Sequence, residues 1–331
     1  MKRWAILRAV AITLALTSPA AAEVPSVAVS IKPIHSLVSA VMGDLGQPAL
    51  IVQSTGSEHA YSLRPSDARA LETAGLVFWV GPRMESFLEK PLESLAGKAT
   101  VITLAETPDL ELLPYRDGGP FEAHDHDDHD HRAATHSHEA DHDDHPSHEE
   151  HEHYPAADGR DMHFWLDPVN AGHLVDAIAS ALSSKDPANA ERYAANAAAY
   201  RARLDAVHDE ITEILSPVRE KPIVVFHDAY QYFEKRYGVR TVGSITVNPD
   251  VAPGAHRVKE IRQRIADLGA ACVFSEPQFE PRIVAVVTEG TPARTGTLDP
   301  LGSTLPDGPD LYPHLLTEMA RSIKSCLSPT R

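Results

Sequence analysis

The sequence predicts an α/β fold: two Rossmann-like lobes, each a parallel sheet flanked by helices, joined by a long rigid helix and facing each other across a cleft. Three observations carry that expectation. Short apolar runs alternate with helix-patterned segments from residue 27 to 105, and the same alternation resumes from 222 to 327. Between them stands a long Ala-rich stretch with helical character and no strand pattern. The chain has 331 residues, 43% of them apolar, enough for a core of that size.

The elements follow in order. MKRWAILR provides a positive start, AVAITLALT a short apolar run and SPAAAE the small residues of a cleavage site, so residues 1–22 read as a secretory signal cut near Ala22–Glu23. The run is too short to span about 30 Å of hydrocarbon and is broken by Arg8; no Cys lies near the cut to carry a lipid. An exported chain without a membrane anchor is expected, with a bacterial periplasm as its address. Residues 23–165 read as the first lobe, with strands in VAVSIKP (27–33), ALIVQS (49–54), LVFWVG (76–81) and TVITLA (100–105), and helices at 34–42, 65–74 and 83–96. PYRDGGP ends this pattern, and an insertion rich in His, Asp and Glu occupies about 122–157. Residues 166–216 form a helical linker that includes the long interlobe helix and stops at Pro217. In the second lobe, 217–331, strands fall in PIVVFHD, RTVGSI, ACVFSEP and RTGTLDP, with helices near 229–237, 255–268, 280–289 and 309–327.

Charge narrows the partners. The net charge is −17. Residues 124–153 hold eleven Asp and Glu against the single Arg132, so −10 of it is local to the insertion. A pI near 5.5 without a basic stripe gives no footing for a phosphate backbone, which argues against nucleic acid.

Ligands of open parallel sheets gather beyond the carboxyl ends of the strands. Those ends carry Glu58, His59, His227, Glu276 and Asp299, and the return from the insertion, DMHFWLDP, adds His163. Three imidazoles and several carboxylates converging on one cleft make a metal constellation suited to a borderline cation such as Zn²⁺. Glu276 is a candidate for orienting a ligand histidine, and His35 lies near the same cleft. His173, His208, His256 and His314 sit in helical segments and read as surface or packing residues. Three ligands with an open fourth position would also suit an exported zinc hydrolase. However, the chain has no H-E-x-x-H helix and no G-x-S-x-G elbow, so an enzyme is not expected. Cys272 and Cys326, the two thiols of an exported chain, are expected to form a disulfide.

Seven segments occur in order along almost the whole mature chain: SEHAYSLRPSD, FWVGPRMESFLEKP, MHFWLDP, VVFHDAYQYFEKRYG, TVNPDVAPGAHRVKEIR, CVFSEPQFEP and RTGTLDPLG. With them the chain resembles the metal-binding solute-binding proteins of bacterial ABC importers, and within these the periplasmic zinc-binding components. The resemblance implies Zn²⁺ as the transported ligand, held in the interlobe cleft by His59, His163 and His227. The fourth position would fall to Glu58 or a water, or to Asp299, which matches the Asp of manganese-binding relatives. Those relatives have Glu where this chain has His227, and a third imidazole favours Zn²⁺ over the harder Mn²⁺. Also implied are a monomer that docks on a membrane permease with its ATPase, a limited hinge, and a family disulfide at Cys272 and Cys326. The alternatives are a manganese or other divalent-metal binding protein or adhesin of the same fold, and a periplasmic zinc buffer.

The insertion itself has almost no apolar residues and a high density of like charge, so no fold of its own is expected. Its imidazoles, at His124, His126, His129, His131, His136, His138, His142, His145, His148, His151 and His153, are spaced for many interchangeable, weak metal sites. A collector that hands zinc to the cleft, a sensor or buffer for excess zinc, and a solvated insertion without a role are the three readings.

Overall fold

The computed structural model describes residues 24–53, 57–116, 159–246, 254–267, 269–279 and 282–328. The expected signal segment and the His-rich insertion with its eleven histidines lie outside the described residues. Two four-stranded parallel sheets are present among them. The first runs β2-β1-β3-β4, from β1 (Val27–Val29), β2 (Ala49–Leu50), β3 (Leu76–Trp79) and β4 (Thr100–Thr103). The second runs β6-β5-β7-β8, from β5 (Pro222–His227), β6 (Arg240–Thr246), β7 (Cys272–Ser275) and β8 (Arg294–Thr297). The two central strands β1 and β5 are continuous apolar runs buried on both faces, as strands covered by helices on either side must be.

Helices α1 (Lys32–Met42), α2 (Pro65–Thr73) and α3 (Ser86–Leu95) flank the first sheet; α6 (Gln231–Tyr237), α7 (Ala255–Asp267), α8 (Arg282–Thr288) and α9 (Leu311–Leu327) belong to the second. The expected strand over 27–33 is shorter in the structure, because Pro33 cannot donate to a sheet but fits the first turn of α1. Helix α4 (Pro168–Lys185) is begun by Pro168 and by Asp167, whose carboxylate accepts from Val169 N at 2.9 Å.

Between the sheets runs α5 (Ala190–Leu215), 26 residues and so about 39 Å long. It buries Tyr193, Ala197, Tyr200, Leu204, Val207, Ile211 and Leu215, a stripe at spacings of three and four. That stripe packs on α4, α1 and α9. One apolar cluster therefore extends from Val29 and Phe78 of the first sheet, through α5, to Val225 and Phe274 of the second. The lobes share a core along the rod, which limits how far they can part. Cys272 and Cys326 form a disulfide tying β7 to α9. No helix among the described residues is long and apolar enough to cross a membrane.

Candidate metal centre

His227 is the last residue of β5, so the parallel sheet delivers its ring to the carboxyl edge of the second lobe. Glu58 and His59 lie in the connection from β2 to α2, beyond the carboxyl edge of the first. His163 stands just before the short turn Phe164–Leu166 that leads into α4; Phe164 and Trp165 are fully buried, anchoring the backbone on which His163 sits.

These four side chains meet. One ligand atom from each of Glu58, His59, His163 and His227 lies within 4.8 Å of all the others. Glu58 Oε1 is 3.8 Å from His59 Nε2 and 3.9 Å from Nε2 of both His163 and His227. His163 Nε2 and His227 Nε2 are 3.4 Å apart. A tetrahedron with bonds of about 2.0–2.1 Å has edges of about 3.3–3.4 Å. The His163–His227 pair already has that spacing, Glu58 stands about 0.5 Å beyond it, and the widest gap, within 4.8 Å, closes further around a Zn²⁺-sized ion. Glu58, His163 and His227 are buried, whereas the His59 side chain retains 26% exposure while its Nε2 is buried.

Two of the imidazoles are held from behind. His227 Nδ1 donates to Glu276 Oε1 at 2.7 Å, and His163 Nδ1 donates to Asp161 Oδ1 at 2.8 Å. Each bond leaves the Nε2 lone pair for the centre of the cluster, the arrangement that metal-binding histidines require. Burial opposes a charge on His227, but Glu276, Glu58 and Asp228 outweigh it and raise the ring's pKa to about 9. Burial raises the Asp161 carboxyl to about 6 and that of Glu85, in the turn after β3, to about 7.

Asp299 does not join the four. Its Oδ1 accepts from Gln278 Nε2 at 3.1 Å and its Oδ2 from Ser303 Oγ at 3.0 Å, so it pins the loop after β8. His35 bonds Pro48 O through Nε2 at 3.0 Å and is likewise outside the group. His173 and His208 are half-buried on α4 and α5, and His256 and His314 are exposed on α7 and α9. Sequence reasoning overlooked Asp161 and Glu85. Asp161 had a signal: at two residues before His163 its carboxylate can reach both the backbone N–H and Nδ1 of that histidine, and it does, at 3.0 and 2.8 Å.

A parallel-sheet protein of two lobes on a continuous helical rod, with a buried carboxylate ringed by three imidazoles between them, is by fold and site a divalent-metal-binding protein. A family model described as "Zinc-uptake complex component A periplasmic" matches residues 27–326, and the chain belongs to that family. It is 52% identical over 314 residues to the high-affinity zinc uptake system protein ZnuA of Brucella suis biovar 1 (strain 1330), covering 94% of each chain. With the protein of the same name from Yersinia pestis it shares 34% identity over 325 residues, 98% of each. Among solved structures it superposes on a ZnuA crystal structure with a TM-score of 0.71 at 22% identity, covering 92% of this chain and 99% of that one, a likeness of fold.

Proposed function

We propose that this chain captures Zn²⁺ in the periplasm with high affinity and hands it to the membrane permease of an ABC importer, whose ATPase drives uptake. The single observation that carries the reading is the convergence of Glu58, His59, His163 and His227 within 4.8 Å. The names of the curated relatives, high-affinity zinc uptake proteins at 52% and 34% identity, support the same cargo. The chain binds and delivers; it is not an enzyme. Three imidazoles and one carboxylate favour Zn²⁺ over Mn²⁺, which prefers a harder, oxygen-rich set. We assign the fourth ligand to Glu58 rather than Asp299, because the Glu58 carboxylate stands among the imidazoles while that of Asp299 is engaged by its own loop. Residues 1–22 are the cleaved signal, 23–165 and 217–331 the two lobes and 166–216 the linker; the histidines of the insertion act as a low-affinity collector or sensor of zinc.

The test is a chelator-competition titration of zinc into the metal-stripped mature chain, the same chain lacking 124–153, and the latter carrying His163→Ala. One tight equivalent in the first two, weakened at least 100-fold by the substitution, is expected. Loss of the tight equivalent on deleting 124–153 would move the metal site to the insertion and overturn the assignment.

A further inference from the structure

Three consecutive residues at the start of α6 each reach a group that stands behind the metal cluster. Tyr230 Oη donates to Glu276 Oε1 at 2.9 Å, the same oxygen that accepts from His227 Nδ1. Gln231 spends both amide hydrogens across the lobe boundary, on Asp161 Oδ2 at 3.2 Å and on Pro114 O at 3.0 Å. Tyr232 Oη donates to Asp161 O at 2.6 Å and accepts from Leu113 N at 2.8 Å. Behind them Arg116 pairs with Asp228 and with Glu234 of α6, closing the same seam.

We infer that Tyr230, Gln231 and Tyr232 form a bracket that sets the orientation of both His163 and His227 from one element, making Tyr230 and Gln231 positioning residues for metal capture. The inference rests on the zinc-capture reading above and deepens it. The physical reason is the scarcity of other restraints. Glu276 Oε2 is buried without a hydrogen-bond partner among the described residues, so Oε1 alone carries the hydrogen bonds that hold this carboxylate. Without the Tyr230 hydroxyl, the carboxylate keeps the His227 ring as its one strong donor and can swing with it, and the Nε2 lone pair loses its fixed aim. Asp161 is also held at both ends. Oδ1 faces His163 and Oδ2 faces Gln231, so the amide of Gln231 fixes the plane in which Oδ1 meets the His163 ring. Because neighbouring positions serve the two histidines, a displacement of the start of α6 disturbs both ligands together. Tyr230 caps α6 and Gln231 opens it; consecutive side chains on a helix point about 100° apart, so neighbouring positions can serve different partners.

Outer partners of metal-bound histidines are typically worth 10–100-fold in affinity. Tyr230→Phe keeps the ring and removes the hydroxyl, Gln231→Leu removes the side-chain amide, and about tenfold weaker zinc binding is expected of each. The specific readout is the pair of imidazole Nδ1–H proton resonances of the zinc-loaded full-length mature protein. Tyr230→Phe should shift the His227 signal and leave that of His163, while Gln231→Leu should do the reverse. Zinc affinity within twofold of the unaltered chain with neither resonance moved would overturn the bracket, as would variants that move both signals alike. Should one variant fail to fold, the other carries the same test through its own histidine. Absence of a tight zinc equivalent in the unaltered chain would instead remove the zinc-capture reading on which the bracket rests.

Discussion

Glu85 offers a quantitative check on how the turn after β3 is built. The side chain is fully buried, and its Oε2 accepts from Val80 N at 2.8 Å and Gly81 N at 3.2 Å. Burial raises its pKa from 4.5 to about 7, against the lowering effect of Ser30 and the two backbone donors, with Glu58 adding to the rise. A folded-state value above the unfolded one means stability that is fully present below pH 4.5 and lost as pH climbs through about 7. By pH 8 the shift corresponds to about 3 kcal/mol, at about 1.4 kcal/mol per pH unit. Glu85→Gln keeps an oxygen for both backbone donors and carries no proton to lose. Urea unfolding of the metal-free protein and of this variant at pH 5 and pH 8 therefore gives a double difference. The variant should gain about 2.5 kcal/mol on the parent between the two pH values, because part of the loss is already present at pH 5, and contributions from His227 and Asp161, which also titrate, largely cancel. A double difference below about 1 kcal/mol would show that Glu85 is not held in the dry, nearly neutral state its surroundings impose.

Other outcomes follow from the same geometry. Glu58→Gln should weaken zinc binding more than 100-fold in a chelator competition, beyond the usual effect of an outer partner, whereas Asp299→Asn should stay within about threefold. Because the metal-free His227 holds its proton up to about pH 9, zinc must displace that proton; affinity should rise with pH up to about 9. Calorimetry at pH 7 in buffers of different ionisation enthalpy should register close to one proton released. The Cys272–Cys326 disulfide closes 54 residues, and replacing both cysteines by serine should cost about 4 kcal/mol in the chain-entropy model, measured by urea unfolding.

The sheets were legible because their central strands are apolar runs, as in PIVVFH and LVFW, separated by helices of clear periodicity, whereas the edge strand RTGT carries no apolar side chain; parallel order follows from that alternation. The three histidines that the structure brings together were legible because they stand at or beyond strand ends or at the return from the insertion. What remained hidden depends on contacts between residues far apart in sequence. Nothing local distinguishes Glu58 from Asp299 as a ligand, since both follow strands. The difference arises because Gln278 and Ser303 claim the Asp299 carboxylate, while Glu58 is carried to the three imidazoles. Tyr230 and Gln231 read as ordinary residues at a helix start, and their reach to Glu276 and Asp161 exists only once β5 and β7 are paired and the 159–163 segment crosses to α6.

The cluster is also graded in order and exposure, and this bears on capture. His163 and His227 are buried and aimed by carboxylates that are themselves held, so little rotamer freedom remains for zinc to remove at those two positions. His59 is the most exposed of the four side chains, although its Nε2 is buried with the rest of the cluster. Affinity then comes mainly from the prepared inner pair. A shared core along α5 restricts wide separation of the lobes, which leaves adjustments of the loop bearing Glu58 and His59 as the less costly route by which the ion comes and goes.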